Sequence, residues 1–256
     1  MPLTPSHPAG TPSWADLMST DPAAARAFYG RLLGWEIAVM SDEEYGGYGL
    51  ATVGGQMVAG IGGQPPGSSM PSAWVLYFAS DDADATAART AELGGTVVMP
   101  PMQVGPQGRM FIGVDPTGAA FGVWQAGEHH GAGRWGEPGA IAWAEVNTRD
   151  AEAARDFYAA LTGLRAEVMP TPSGAYYTLH HGADAVGGVS LMSDGHAGVP
   201  PHWMIYFQTA DIAAAVAIVK DGGGKLFVGP FPTPFGQIAI CADPQGAMFS
   251  LLQAPA

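Results

Sequence analysis

The sequence predicts an α+β protein of four β-α-β-β-β modules, arranged as two tandem domains with cupped mixed sheets. Three observations predict it. Whole blocks of sequence recur about 129 residues apart, as two copies of one folded unit would. Within each copy, two apolar strand-like runs each lead through an aspartate into an alanine-rich helical segment. Finally, 37 Gly and 22 Pro in 256 residues favour many short elements joined by tight turns.

The repeat is explicit. Trp14-Ala15-Asp16-Leu17 returns as Trp143-Ala144-Glu145-Val146, and Asp21 with Phe28-Tyr29 returns as Asp150 with Phe157-Tyr158. Trp74-Val75-Leu76-Tyr77-Phe78 returns as Trp203-Met204-Ile205-Tyr206-Phe207. Asp115-Pro116-Thr117-Gly118-Ala119 returns as Asp243-Pro244-Gln245-Gly246-Ala247, one residue closer, as the loss of one residue from the loop around Gly105 to Gly108 would produce.

The first module is a strand over 14–19 and a helix over 22–33, then strands near 36–40, 48–53 and 57–61. Asp21 suits the N-cap, Pro22 the first helical position and Gly34 the C-terminal stop. The second has a strand over 74–79, a helix near 83–93, and strands near 96–99, 110–114 and 120–125. The third and fourth repeat this from Ile141 and His202. The expected domains are 10–127 (modules about 12–63 and 72–127) and 138–256 (modules about 139–192 and 202–256). Residues 128–137, which include His129 and His130, read as an exposed linker between them. A single module cannot cover both faces of its sheet, so modules must pair, and the cupped face is where a ligand belongs. Four modules in one chain imitate a dimer of two-module proteins, so a monomer or weak homodimer is expected.

Composition excludes several classes of function. A net charge of −13 with ten Lys and Arg is wrong for nucleic acid, whose phosphates need clustered cations. One cysteine gives no internal disulfide and suits a reducing cytosol. Cys241 lies in the strand-like run Gln237 to Cys241 and reads as a small buried hydrophobe. No apolar run is long enough to span a membrane, and Met1 to Gly10 lacks a charged-then-apolar leader, so a cytoplasmic protein without a membrane partner is expected.

The Asp-x4-Arg-x-Phe-Tyr-x4-Gly pattern at 21–34 and 150–163, with Asp-Pro-x-Gly-Ala at 115–119 and 243–247, resembles the vicinal oxygen chelate superfamily. That superfamily includes glyoxalase I, the bleomycin-resistance proteins, the extradiol dioxygenases and the fosfomycin-resistance enzymes. More narrowly, the chain is similar to actinobacterial four-module glyoxalase-like proteins. The resemblance implies tandem glyoxalase-like domains and a divalent metal held by His, Glu or Gln on the first and last strands. Transferred by position, the first-strand ligands fall at Trp14, Val75, Trp143 and Met204, and the last-strand ligands at Gly122 and Ser250. Such side chains are poor or impossible ligands for a hard or borderline cation, so no metal ligands and no cofactor are expected.

Strand alternation then selects the cup face. Expected ligand-binding residues are Trp14, Met18, Tyr77, Trp124, Trp143, Asn147, Met204, Tyr206, Gln208 and Ser250. Asp16 and Glu145 are the candidate catalytic carboxylates, because desolvation in an aromatic hollow raises a carboxyl toward neutrality. The alternative places them as structural groups bonded to a neighbouring strand or to Arg109. His180, His181 and His202 are weaker candidates, and Gly60-Ile61-Gly62-Gly63 reads as turn material. The expected function is metal-independent binding of a small hydrophobic or aromatic molecule, for sequestration, antibiotic resistance or secondary metabolism. The alternative is an enzyme (a lyase, isomerase, hydroxylation partner or glyoxalase) using a cup carboxylate or an unrecognised metal site.

Overall fold

The computed structural model describes residues 7–41, 45–65, 67–171, 174–193 and 198–255. Part of the N-terminal stretch read for a leader, and parts of the stretches between the expected modules at 64–71 and 193–201, lie outside them. Among the described residues no helix is long and apolar enough to cross a membrane.

The four modules form in order. The first comprises β1 (Pro12–Ser19), α1 (Pro22–Leu33), β2 (Glu36–Val39), β3 (Gly49–Val53) and β4 (Gln56–Gly63). The second comprises β5 (Ala73–Ala79), α2 (Ala83–Glu92), β6 (Thr96–Val104), β7 (Gly108–Val114) and β8 (Ala120–Ala126). The third comprises β9 (Ile141–Thr148), α3 (Ala151–Thr162), β10 (Arg165–Thr171), β11 (Gly174–His181) and β12 (Asp184–Leu191). The fourth comprises β13 (His202–Gln208), α4 (Ile212–Asp221), β14 (Lys225–Thr233), β15 (Gly236–Ala242) and β16 (Met248–Gln253). Hydrogen bonding orders them into two eight-stranded mixed sheets, β2-β3-β4-β1-β5-β8-β7-β6 and β10-β11-β12-β9-β13-β16-β15-β14.

Local chemistry explains the helices. Each begins on an aspartate whose carboxylate accepts from backbone N–H groups of the first turn: Asp21, Asp82, Asp150 and Asp211. Gly34 and Gly163 end α1 and α3 in the left-handed conformation, with φ of 69° and 73°. Two expectations need correction. The strand expected near 96–99 runs on as β6 to Val104, through Pro100 and Pro101. It lies at the edge of its sheet, and its pairing with β7 shifts register between Met99 and Met102, so the two prolines, which have no N–H, sit where the ladder is interrupted. The glycine run at 60–63 is the end of β4, not a turn.

The chain divides into two compact units, each taking one module from each half of the sequence. In one unit Tyr29 of α1 is fully buried, accepts from the Trp74 indole at 3.0 Å and donates to the Asp243 carboxylate at 3.2 Å. Trp35, Phe207 and Phe249 pack around it with ring centroids 5.5 to 6.3 Å away. The other unit repeats the motif: Tyr158 accepts from the Trp203 indole at 2.8 Å among Phe78, Phe121 and Phe157. Burial, reinforced by Asp243 and Asp115 respectively, pushes both phenols well above their ordinary range. Burial likewise holds the Asp243 carboxyl above its usual range, against the opposing pull of the donors around it. The recurrent Phe-Tyr and Asp-Pro-x-Gly motifs thus meet as core partners, each helix of one copy against the turn of the other. Cys241 is fully buried, and desolvation pushes its thiol up to about 12.

Candidate functional site

The two predicted carboxylates share one construction. On β1, Asp16 lies beside Gly60 of the parallel strand β4, and the Tyr48 hydroxyl donates to its Oδ1. On β9, Glu145 lies beside Gly188 of the parallel strand β12, and the Tyr176 hydroxyl donates to its Oε2 at 2.7 Å. In both places the tyrosine passes over the glycine. A Cβ on Gly60 would overlap the Tyr48 hydroxyl and the Asp16 carboxylate, and one on Gly188 would overlap the Tyr176 hydroxyl. Both carboxylates are half-buried. A phenol that donates to a carboxylate keeps its own lone pairs for a further donor, so each pair can receive a ligand hydroxyl.

Sequence reasoning missed both tyrosines. The alternative reading of Asp16 gave it a neighbouring strand or Arg109 as partner, but Arg109 instead holds Asp84 of its own module's helix bidentately, at 2.7 and 2.8 Å. The signal was present: twelve positions separate Tyr48 from Gly60, and the same twelve separate Tyr176 from Gly188. It was hidden because the run containing Gly60 looked like a turn.

The other predicted residues fall as follows. Within one unit, Trp14 and Trp124 retain 3% and 7% exposure, and Tyr77 lays its ring against Gly122. Asn147 is half-buried on β9, two residues beyond Glu145. Within the other unit, Met18 stands with Tyr48 against Gly62, and Trp143 and Gln208 are half-buried. Met204 and Tyr206 keep 5% and 8% exposure, and Tyr206 pairs in register with Ser250, which is fully buried with no partner for its hydroxyl among the described residues. Trp74 and Trp203, the neighbours of the first-strand positions, point instead into the helix-side core described above.

His129 contradicts the expectation of an exposed linker pair. Its ring meets Trp14 edge-on at 4.4 Å between centroids and leans on Trp124 at 5.4 Å, while its carbonyl accepts from the Trp124 indole at 2.7 Å. Both ring nitrogens are shut off from water and have no hydrogen-bond partner among the described residues. Burial, with smaller contributions from His130 and His7, lowers this imidazole to about 4, so it is neutral at pH 7. Backbone bonds explain the position: Gly127 and His129 donate to Gln107, and Glu128 to Pro106. The weaker histidines are engaged locally. His180 sits 2.9 Å from the Thr178 hydroxyl and 3.4 Å from Glu167, and His202 contacts the Pro200 carbonyl at 2.9 Å.

The residues standing at the metal-ligand positions do not fit a cation. They offer indole, isopropyl, thioether, glycine and one serine, and the Tyr77 ring covers Gly122, where a last-strand carboxylate would project. Among the described residues no group of three His, Cys, Asp or Glu gathers closely enough to hold a metal ion.

Comparison with known proteins agrees with this architecture. The family model "Glyoxalase/Bleomycin resistance protein/Dioxygenase superfamily" matches residues 11–123 and again 140–251. The putative glyoxylase CFP32 of Mycobacterium tuberculosis is 40% identical over 258 residues, covering 99% of this chain and 98% of that protein. The anthracycline biosynthesis protein DnrV of Streptomyces peucetius is 38% identical over 257 residues, covering 95% of this chain and 93% of its own. Among solved structures, the Mn(II)-bound glyoxalase of Novosphingobium aromaticivorans superposes with a TM-score of 0.67 at 17% identity, over 96% of this chain and 82% of that one. The duplicated modules, the two mixed sheets and these likenesses together place the chain in the glyoxalase/bleomycin resistance protein/dioxygenase superfamily.

Proposed function

We propose that the protein binds a small planar, hydroxylated aromatic molecule without a metal ion, through a tyrosine–carboxylate pair. The observation that carries this reading is the pair itself, built twice over a glycine, on strands whose family ligand positions hold Trp14 and Trp143. A ligand hydroxyl would donate to the carboxylate or the phenol while its ring rests on aromatic surface, an arrangement suited to a flat polyphenol rather than a sugar or a phosphate. The relative named for anthracycline biosynthesis supports a role in handling aromatic natural products, by carriage, sequestration or resistance. A cytoplasmic location fits the single buried cysteine.

A second reading makes the same pair an acid–base device in an enzyme, a lyase, isomerase or hydroxylation partner. The phenol-to-carboxylate bond favours it, since such a pair can move a proton at a bound hydroxyl or carbonyl, and relatives carry the name glyoxylase.

The test is binding of 1,4-dihydroxyanthraquinone to protein treated with EDTA, followed by thermal shift. Retained binding is expected, with about 2.7 kcal/mol of stabilisation at a hundred times the dissociation constant. Loss of binding on EDTA treatment, restored by a divalent metal, overturns the metal-free reading. Glu145→Gln and Tyr176→Phe should each weaken binding about tenfold. Unchanged affinity with abolished turnover in Glu145→Gln would favour the enzyme.

A further inference from the structure

We propose that His129 is a built-in occupant of an aromatic slot between Trp14 and Trp124, closing the first copy to ligand and leaving binding to the second. The inference rests on the ligand-binding reading above but stands on separate geometry. The imidazole lies against both indoles, and neither nitrogen has a hydrogen-bond partner among the described residues, so it serves as a flat ring and not as a hydrogen-bonding group. Those two indoles stand at the first-strand position and on the last strand of the copy, where a ring-shaped ligand would lie. His129 is a fixed plug, not a swinging gate. Its own N–H and carbonyl, and the N–H groups of Gly127 and Glu128, are all tied into backbone or indole hydrogen bonds. Gly131 adds a steric lock: its left-handed φ of 93° and its closeness to the Ser13 carbonyl admit no side chain, which fixes the path of the segment. In the second copy Trp143, the counterpart of Trp14, remains half-buried.

The slot is also the kind of site an added ring can fill. Removing the imidazole leaves a space between two aromatic walls, Trp14 and Trp124, that a small aromatic molecule from solution can fill. Any planar ring of about imidazole size should enter it.

The experiment uses full-length wild type, His129→Gly and His129→Phe, with imidazole and 1,4-dihydroxyanthraquinone as probes. Imidazole at tens of millimolar should raise the thermal midpoint of His129→Gly and leave wild type and His129→Phe unmoved. The anthraquinone should bind one equivalent per chain of wild type and of His129→Phe, and two of His129→Gly. If His129→Gly does not fold, His129→Ala takes its place in both arms. Two equivalents bound by wild type, or a His129→Gly (or Ala) midpoint indifferent to imidazole, overturns the plug. Absence of anthraquinone binding to every variant overturns the ligand reading instead, and the imidazole arm still decides the plug.

Discussion

Trp14 on β1 and Trp143 on β9 occupy the same place in the two copies, yet Trp14 keeps 3% of its surface while Trp143 is half-buried. Two residues further along each strand the copies agree closely. Asp16 and Glu145 both receive a tyrosine hydroxyl across a glycine. Duplication has therefore kept the polar pair and let the aromatic neighbourhood diverge, and the divergence comes from a segment outside the module pattern, the stretch carrying His129. A polar pair kept in both copies and an aromatic slot filled in the first is what a tandem protein with one working site would retain.

The largest effect that can break this comparison is acidification. His129 is held neutral, with its pKa lowered from 6.5 to about 4, chiefly by desolvation. The unfolded chain therefore binds more protons than the folded one between those values. Stability is full above about 6.5 and falls as pH drops toward 4, by about 3 kcal/mol at the end of that window. His130 and His7 are the neighbours that add to the shift, and Asp243, whose raised carboxyl gains from acid, opposes it elsewhere. The difference between wild type and His129→Phe isolates the imidazole. Urea midpoints from pH 7 to pH 4 should fall for wild type relative to His129→Phe, and parallel curves would show that the first copy's slot is not sealed by a desolvated ring.

Next in size are the glycines under the two pairs. Gly60→Ala and Gly188→Ala each drive a methyl into a tyrosine hydroxyl, so each should cost about 1–3 kcal/mol by crowding a packed contact. The stability costs should be alike, since the constructions are alike, whereas anthraquinone affinity should fall further with Gly188→Ala. Equal losses of affinity would show that both copies bind.

What the sequence discloses follows from how local each feature is. The aspartate caps, the glycine stops of α1 and α3 and the strand alternation depend on residues within one turn or one pleat, and all are legible in the order of residues. The tyrosine–carboxylate pairs join residues 32 and 31 apart. Only the matched spacing of Tyr48 with Gly60 and of Tyr176 with Gly188 betrays them, and comparison at the main repeat offset conceals it by setting Tyr48 beside Tyr177. The His129 contact carries no periodic signal at all. A glycine-rich stretch with two histidines looks exposed because composition reports solubility, while the position of this ring is set by backbone bonds to Pro106 and Gln107. The linking of the Phe-Tyr helices to the Asp-Pro turns was equally hidden, although both motifs were conspicuous, because a repeat shows what recurs and not what it touches.

Removing one hydroxyl sharpens the comparison further. Tyr48→Phe and Tyr176→Phe each delete a single donor to a half-buried carboxylate, a loss of about 1 kcal/mol in urea unfolding for either copy. The loss of anthraquinone affinity should be the larger for Tyr176→Phe, and the reverse order would assign the working site to the first copy.

The smallest effect is expected at Arg109, and it serves as the control for the others. The first copy has an arginine here and the second has Gln237, so charge at this position is another way the copies differ. If that charge helped to choose a ligand, Arg109→Gln would change affinity for an anionic aromatic such as 2-naphthoate. The guanidinium, however, is already committed to Asp84, lies at the protein surface and is screened by water and salt. Arg109→Gln should leave both the thermal midpoint and the affinity where they were, at low salt as at high. A salt-dependent change in affinity would mean that the arginine leaves Asp84 to meet the ligand, and the distinction between the copies would then rest on charge as well as on the closed aromatic slot.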